Sequence, residues 1–208
     1  RQIGTSRLSQ IKDMKPAGIE LPFVLLRISQ HCEAAQTVEL ADYSLQSELS
    51  VMELLNEEAR KAGKSHKVIV MAELGDLREG YWDREEMIAA CLRVEKELRF
   101  LRLAGVGVNL GCYGSIKPTP EKMTELLDIA REVQDGIGRE LEIVSGGATS
   151  SFALVHSGEM PEGINHLRIG EGICLAYDLP YLWGIEDMDY LHSDIFTLKA
   201  QVLEVKNK

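Results

Sequence analysis

Residues 142–175 have the sequence EIVSGGATSSFALVHSGEMPEGINHLRIGEGICL. This stretch holds two places where an apolar strand runs directly into a loop of glycines and hydroxyl-bearing residues. Residues 141–144 lead into SGGATSS at 145–151, and residues 166–169 lead into GEG at 170–172. Glycines let backbone amides approach an anion closely and hydroxyls add donors, so the two loops predict a phosphate-binding site. Tight turns with satisfied caps are the alternative interpretation.

Composition and charge limit the class of protein. A chain of 208 residues with 45% hydrophobic content, 27% charged residues and six prolines predicts one large α/β domain rather than disorder. The net charge of −10, with acids and bases interspersed, argues against nucleic-acid binding. No apolar run has the length of a membrane span, and no signal-peptide pattern is present. The widely spaced cysteines disfavour zinc and disulfides and favour a reducing cytoplasm: Cys32, Cys91, Cys112 and Cys174.

Strand-like and helix-like segments alternate along the chain. The predicted strands are residues 21–28, 43–45, 66–74, 103–109, 141–144 and 166–169, followed by a longer alternating strand at 195–205. The predicted helices are residues 6–15 with Ser6 as N-cap, 33–40, 49–62, 83–101 and 121–137 with Thr119 as N-cap. Strands joined by crossover helices pair in parallel. This rhythm favours a (β/α) barrel over a doubly wound sheet.

Several polar residues follow the predicted strands at the same end. Arg78 lies in the loop after residues 66–74, and Asn109 ends the strand at 103–109. Thr149 and Ser150 follow the next strand, and Arg168 lies on the last strand of the barrel. In (β/α) barrels, chemistry is concentrated at the C-terminal ends of the strands, and phosphate sites lie after the last two. We therefore expect these residues to line one rim.

Four motifs together resemble a known family. They are LGDLREG at 74–80, VGVNLGCYG at 106–114, VSGG at 144–147 and PEGINHLRIGEGI at 161–173. The sequence is similar to the alanine racemase-like family of pyridoxal phosphate enzymes, in particular to its alanine/ornithine racemase branch. The resemblance implies a TIM-like barrel with the cofactor at its C-terminal mouth, followed by a β domain, in a homodimer. It implies a partial barrel at residues 1–190 and the start of the β domain at 191–208.

The resemblance also implies roles for residues around the cofactor ring. Arg168 would face the pyridine nitrogen, Arg78 would reach the phenolate oxygen, and Asn109 would lie against the ring face. A guanidinium keeps its proton, because its pKa lies above about 12, so the pyridine nitrogen would stay unprotonated. A weaker electron sink suits a racemase, since a less delocalised carbanion undergoes fewer side reactions.

The phosphate would be held by side chains and backbone from both loops. Thr149 and Ser150 would supply hydroxyls, and Gly170 and Glu171 would supply backbone amides. The branch usually has Asn-Ser where this chain has Ala148-Thr149, so the hydroxyl is kept and the amide is lost.

The catalytic groups of the family have no counterpart in this chain. The Schiff-base lysine of the family lies on the first barrel strand, upstream of a segment resembling GTSRL at 4–8. The second base, a tyrosine, would fall beyond Lys208. Lys67, Lys117 and Lys199 do not match the family lysine. We therefore expect an internal fragment, lacking the first strands of the barrel and inactive by itself.

Each candidate has a simpler structural interpretation. Arg78 lies among acidic residues, where an exposed ion pair is common. Arg168, on an apolar strand, needs a buried partner, and a carboxylate such as Glu171 or Glu142 would satisfy it. Asn109 could cap a turn. The histidines have no metal-ligand spacing: His66, His166 and His192.

The leading functional hypothesis is an amino-acid racemase that transfers protons at Cα with two bases. Alanine, ornithine and other small or basic amino acids all remain candidate substrates. One alternative is a single-barrel protein that binds pyridoxal phosphate without turnover; the predicted strand at 195–205 favours the racemase over it. Another is a lyase or aldolase on the same scaffold. Such enzymes often add a metal, for which the sequence shows no ligand cluster.

Overall fold

The computed structural model describes residues 1–111 and 116–206 and divides the chain into two compact units. The first unit is Arg1–Arg168 and the second is Ile169–Lys208. The end of the VGVNLGCYG motif, residues 112–114, lies outside the described residues.

Strands and helices alternate throughout the first unit. Within the described residues, seven parallel strands form one sheet in the order in which they occur along the chain. The strands are β1 (Ile3–Thr5), β2 (Phe23–Leu25), β3 (Tyr43–Gln46), β4 (His66–Ala72), β5 (Leu101–Val108), β6 (Ile143–Ala148) and β7 (His166–Arg168). The helices are α1 (Leu8–Met14), α2 (Ala34–Leu40), α3 (Leu49–Ala62), α4 (Arg84–Glu97), α5 (Pro120–Ile137) and α6 (Phe152–His156). Each strand thus pairs with the next through a helical crossover.

The sheet curves into a nearly closed barrel. The first and last strands approach each other: Nε2 of His166, on β7, lies 3.2 Å from Oε1 of Gln2, just before β1. A doubly wound sheet would reverse its strand order part-way, and this sheet does not. The predicted barrel is therefore confirmed. Its interior holds one cluster of buried side chains: Val24, Tyr43, Leu45, Ile69, Met71, Ala104 and Ile143.

The outer faces of the strands pack against the helices. Val68 and Val70, which alternate with the interior residues of β4, are fully buried in the layer formed with α3, α4 and α5. Met52, Met87 and Met123 of these three helices belong to the same cluster. Alternate side chains of the strands thus face the barrel interior and the helices, and the helices turn their apolar faces to the sheet. Both faces of the sheet are therefore buried, as a parallel barrel requires.

Helix ends follow the predicted signals in most places. Thr119 caps α5, because its Oγ1 accepts a hydrogen bond from the amide of Lys122 at 3.3 Å. Helix α3 has the predicted bounds and ends at Gly63, whose φ is +62°. The prediction of Ser6 as an N-cap is wrong: α1 begins at Leu8 after Arg7. Arg7 is the N-cap without a side-chain capping bond, and its amide donates to Oγ1 of Thr5 at 3.3 Å.

Several elements differ in extent from the prediction: β2 is shorter than the predicted 21–28, and the helix predicted at 83–101 ends at Glu97, because β5 begins at Leu101. Strand β6 continues through Ser145, Gly146 and Gly147, which were predicted as a loop. A Cβ at Gly146 would lie 2.7 Å from Cγ2 of Ile164, so the glycine lets a neighbouring segment pack onto an unbroken strand. Strand β1 was not predicted, because its three residues are too few to show alternation.

The second unit contains little regular structure. Gly170 is the N-cap of a short helix, α7 (Glu171–Cys174), and a π-helical turn follows at Asp178–Leu182. The predicted strand at 195–205 has no regular secondary structure. A strand needs a neighbour to satisfy its backbone groups, and no described residue pairs with this segment. The C-terminal β domain stays a prediction.

Among the described residues, no helix combines the length and the apolar character needed to cross a lipid bilayer.

Gly105 marks the closest approach of β5 and β6. A Cβ there would lie 1.9 Å from the carbonyl oxygen of Ile143, an atom of the paired strand that cannot rotate away. We expect Gly105→Ala to lower the free energy of unfolding by about 3 kcal/mol or more, measured by urea denaturation.

Gly63→Ala is the matched control for Gly105→Ala. Its Cβ would meet nothing within 4 Å, and its left-handed φ alone costs about 1 kcal/mol. Equal losses in the two variants would contradict the close approach of the strands.

Candidate active site

Arg168 lies at the C-terminal end of β7, and its guanidinium reaches across to β5 and β6. One terminal nitrogen donates to the carbonyl oxygen of Val108 at 2.8 Å and to Oδ1 of Asn109 at 2.6 Å. The other donates to Oγ of Ser145. The proposed structural pair with Glu142 is not formed, because that carboxylate contacts Lys67 and Tyr43. Arg168 thus spans three adjacent strands through neutral acceptors.

Asn109 connects Arg168 to the loop after β4. Its Nδ2 donates to Oε1 of Glu79 at 2.6 Å, while Oε2 of Glu79 pairs with Nε of Arg78 at 2.8 Å. The three residues expected around a cofactor ring, Arg168, Asn109 and Arg78, therefore lie in one hydrogen-bond network. The network lies at the C-terminal ends of β4, β5 and β7, the rim at which barrel enzymes place their chemistry.

The loop that carries Arg78 and Glu79 is held to β4 at both ends. The Glu73 carboxylate accepts hydrogen bonds from the amides of Gly75 at 2.6 Å and Arg78 at 3.0 Å. Tyr81 returns to the strand, donating its amide to the Met71 carbonyl at 2.8 Å. A Cβ at Gly80, where φ is +145°, would lie 2.5 Å from the backbone of Ala72. The loop is therefore fixed by its own backbone contacts.

A 3₁₀ turn of three buried hydroxyl residues, Thr149–Ser151, follows β6. Oγ of Ser150 donates to the carbonyl oxygen of Leu110 at 2.5 Å, which ties this turn to the residue after Asn109. Oγ of Ser151 is fully buried and has no hydrogen-bond partner among the described residues. A Cβ at Gly147, where φ is +113°, would lie 2.5 Å from that hydroxyl.

Gly170 and Glu171 belong to the second unit. Gly170 precedes the first turn of α7, where backbone amides have no acceptor within the helix. The Glu171 side chain caps its own unit, since Oε1 accepts from the amides of Tyr177 and, at 3.1 Å, Asp178.

Ser145 and His166 continue the hydrogen bonds of Arg168 into the barrel. Since Oγ of Ser145 accepts from Arg168, its own proton is left for Nδ1 of His166, 2.8 Å away. The ring proton of His166 then resides on Nε2, which donates to Oε1 of Gln2 at 3.2 Å. Burial, followed by the nearby charge of Arg168, lowers the pKa of His166 to about 4. The imidazole is thus neutral beside the arginine.

Lys67 lies at the opposite end of the barrel from Arg168. Its Nζ contacts the Tyr43 hydroxyl at 2.6 Å and the Glu142 carboxylate at 3.1 Å, both at the N-terminal ends of their strands. Burial alone would lower the pKa of Lys67, but these hydrogen bonds raise it above its usual value. A lysine that stays protonated is a poor nucleophile, so Lys67 does not suit covalent attachment of a carbonyl compound.

Within the described part of the chain, no group of three or more His, Cys, Asp or Glu side chains could hold a metal ion.

Sequence reasoning missed three members of this network: Glu79, Ser145 and His166. The sequence pattern predicts a loop at Ser145, and His166 shows no metal-ligand spacing. A period of two on β6 and β7 is the signal that could have found them, because Ser145, His166 and Arg168 occupy alternate positions of paired strands. Glu79 follows Arg78 directly and offered no signal beyond its charge.

Comparison with known proteins identifies the family. A family model described as alanine racemase, N-terminal domain, matches residues 1–178. The chain belongs to the alanine racemase family. It is 41% identical over 203 residues to the ornithine racemase of Acetoanaerobium sticklandii and 41% identical over 208 residues to the lysine racemase of Thermotoga maritima. These matches cover 98% and 99% of this chain but 56% of each relative, so the chain spans about half the length of the curated relatives it matches.

Solved structures share the fold. The alanine racemase of Clostridium difficile 630 superposes with a TM-score of 0.65 at 18% identity, covering 94% of this chain and 48% of that one. PipY of Synechococcus elongatus PCC7942, with PLP bound, superposes with a TM-score of 0.66 at 22% identity, covering 82% and 79%. At these identities the likeness shows the barrel fold alone.

The hydrogen-bond directions around His166 can be tested by nitrogen-15 NMR of labelled histidine. We expect a proton on Nε2 at neutral pH and titration near pH 4. Because this pKa lies below the unfolded value of about 6.5, the unfolded chain binds the proton first. His166 therefore contributes a loss of stability as pH falls from about 6.5 to about 4. His166→Gln should remove that contribution, and a proton on Nδ1 or titration near 6.5 would contradict the network.

Proposed function

We propose that this chain supplies the cofactor-binding barrel of a pyridoxal-phosphate-dependent amino-acid racemase. The observation that carries the proposal is the Arg168–Asn109–Glu79–Arg78 network at the C-terminal rim. Its support is the 41% identity to relatives named ornithine racemase and lysine racemase. Basic amino acids, followed by alanine, are the substrates we propose to test.

The residues present fit a phosphorylated pyridine cofactor. Ser151 offers a buried hydroxyl without a partner among the described residues, and Gly147 beside it leaves no room for a side chain. A buried polar group without a partner is costly, and an anion at this turn would satisfy it. Arg168 and Arg78 supply positive charge at the same rim.

Each residue of the network has a proposed role toward the ring. Arg168 would donate to the pyridine nitrogen and, because a guanidinium keeps its proton, would leave that nitrogen unprotonated. Arg78 would donate to the phenolate oxygen, and Asn109 would support the ring face. When bound, the cofactor supplies electron withdrawal from the substrate Cα, which makes the Cα proton acidic. The protein must hold that electron withdrawal at a modest level, which a neutral pyridine nitrogen does.

The phosphate is proposed to lie against Thr149, Ser150 and the backbone amides of Gly170 and Glu171. Ser150 donates to Leu110 in the structure, so it would exchange this acceptor for a phosphate oxygen. The four groups are neutral hydrogen-bond donors to the phosphate dianion, and Arg168 and Arg78 supply positive charge at the same rim.

Other properties of the whole protein are proposals from the family resemblance. We propose a cytoplasmic homodimer. We also propose that Lys67 is not the lysine that holds the cofactor, since it is committed at the far end of the barrel, and that the second base is a tyrosine.

Two alternative functions are compatible with folds that this chain shares with solved structures. A PLP-binding barrel without turnover is compatible with the fold shared with PipY, and the strand at 195–205 that favoured a racemase is not formed. An aldolase is compatible with the fold shared with the D-threonine aldolase of Filomicrobium marinum, which superposes with a TM-score of 0.64 at 20% identity.

The test is chiral chromatography after incubating the whole gene product with pyridoxal phosphate and L-ornithine, L-lysine or L-alanine. We expect the D-enantiomer to form until both enantiomers are equal. Arg168→Gln should lower the rate by about 100-fold or more, as expected for loss of a partly buried charged donor at the site. The control Arg84→Gln breaks only an exposed ion pair with Glu132 and should leave the rate within about twofold.

The alternatives give different results in the same assay. Aldehyde release without inversion indicates an aldolase, and cofactor binding with neither reaction indicates a binding barrel. Either outcome would contradict the racemase.

A further inference from the structure

We propose that Glu79 is the positioning residue of the cofactor-facing rim, because its carboxylate holds both the Arg78 guanidinium and the Asn109 amide in place. This inference rests on the proposed function, since the held groups act only if the rim binds the cofactor. It assigns a role to a residue that lies in the LGDLREG motif but to which the sequence analysis gives no function.

The argument begins with the direction of each hydrogen bond. Arg168 and Arg78 can only donate, so the groups facing them must accept. Oδ1 of Asn109 accepts from Arg168 at 2.6 Å, which leaves Nδ2 of Asn109 as a donor toward Glu79, also at 2.6 Å. The second oxygen of Glu79 accepts from Nε of Arg78 at 2.8 Å. Asn109 and Arg78 therefore both donate hydrogen bonds to the Glu79 carboxylate.

A carboxylate is the side chain that suits this point in the network. It offers two acceptor oxygens and no donor, and one oxygen faces each neighbour. A glutamine of the same shape has one acceptor oxygen and one amide that donates. In either orientation, its amide would meet a donor, from Arg78 or from Asn109.

An ordinary surface ion pair is the simpler interpretation of Glu79. Exposed pairs contribute little to stability and hold neither partner firmly. The side chain of Glu79 is only 15% exposed, compared with 42% for Arg78, and its Oε1 contacts the buried Asn109. The backbone around it is fixed, since Glu73 holds the Arg78 amide and Tyr81 returns to β4. These contacts make Glu79 part of the rim rather than of the solvated surface.

Loss of the carboxylate has a specific consequence for the rim. Asn109 would keep Oδ1 on the guanidinium of Arg168 but would lose the acceptor that holds its Nδ2. Arg78 would lose the contact that orients its Nε edge. Both groups proposed to meet the cofactor ring would therefore have to be ordered at the moment of binding, which weakens affinity.

The test measures binding of pyridoxine 5′-phosphate by isothermal titration calorimetry with the whole gene product freed of cofactor. This probe has the ring and phosphate of the cofactor but no aldehyde, so it reports non-covalent contacts without turnover. We expect Glu79→Gln to weaken binding by about tenfold or more. Glu132→Gln, the matched control in the exposed pair with Arg84, should stay within about twofold. Glu79→Asp keeps both acceptor oxygens and should recover part of the affinity.

A double-mutant cycle separates positioning from general damage to the fold. If Glu79 acts through Arg78, the losses of Arg78→Gln and Glu79→Gln should not add in the double variant. Thermal unfolding of each cofactor-free variant checks that the barrel is intact.

The outcomes distinguish this proposal from the proposed function. The parent protein and Glu79→Gln could bind the probe with equal affinity, or the losses in the cycle could be strictly additive. Either result would overturn the proposed role of Glu79 but not the proposed function. Absence of probe binding by the parent protein would overturn both.

Discussion

The site depends on the constraint that the Arg168 guanidinium has only donors and must be met by acceptors at the mouth of an apolar barrel. The acceptors come from the backbone of β5 at Val108, the side chain just after it at Asn109, and the middle of β6 at Ser145. They can meet one guanidinium only if β5, β6 and β7 keep their register. That register depends in turn on Gly105, where β5 and β6 approach too closely for a side chain.

Directional hydrogen bonds extend from Arg168 in two opposite directions. Toward the rim they run through Asn109 to Glu79, where a second guanidinium arrives from Arg78. Toward the interior they run through Ser145 to His166, whose lowered pKa keeps it neutral. The interior branch avoids a second positive charge beside Arg168, and the rim branch supplies one negative charge between two positive ones. This arrangement leaves net positive charge where the proposed cofactor is anionic.

The sequence predicts the barrel and its rim well, because both depend on local patterns. Apolar runs between amphipathic helices indicate parallel strands, and Arg78, Asn109 and Arg168 follow those strands at the same end. Sequence reasoning fails where tertiary contacts decide. Strand β6 continues through Ser145 and Gly146 because Ile164 packs against the glycine, a contact that no local propensity shows. Glu79 is joined to Asn109 across 30 residues, and only the fold brings them together.

In the function we propose, Arg168 faces the cofactor ring and holds its pyridine nitrogen unprotonated. Nitrogen-15 NMR of the whole gene product loaded with pyridoxal phosphate labelled at that nitrogen tests it directly. The account predicts the chemical shift of a neutral pyridine that accepts a hydrogen bond, unchanged across neutral pH. The shift of a protonated pyridinium would contradict it, because a donor-only guanidinium cannot be the partner of a protonated ring nitrogen.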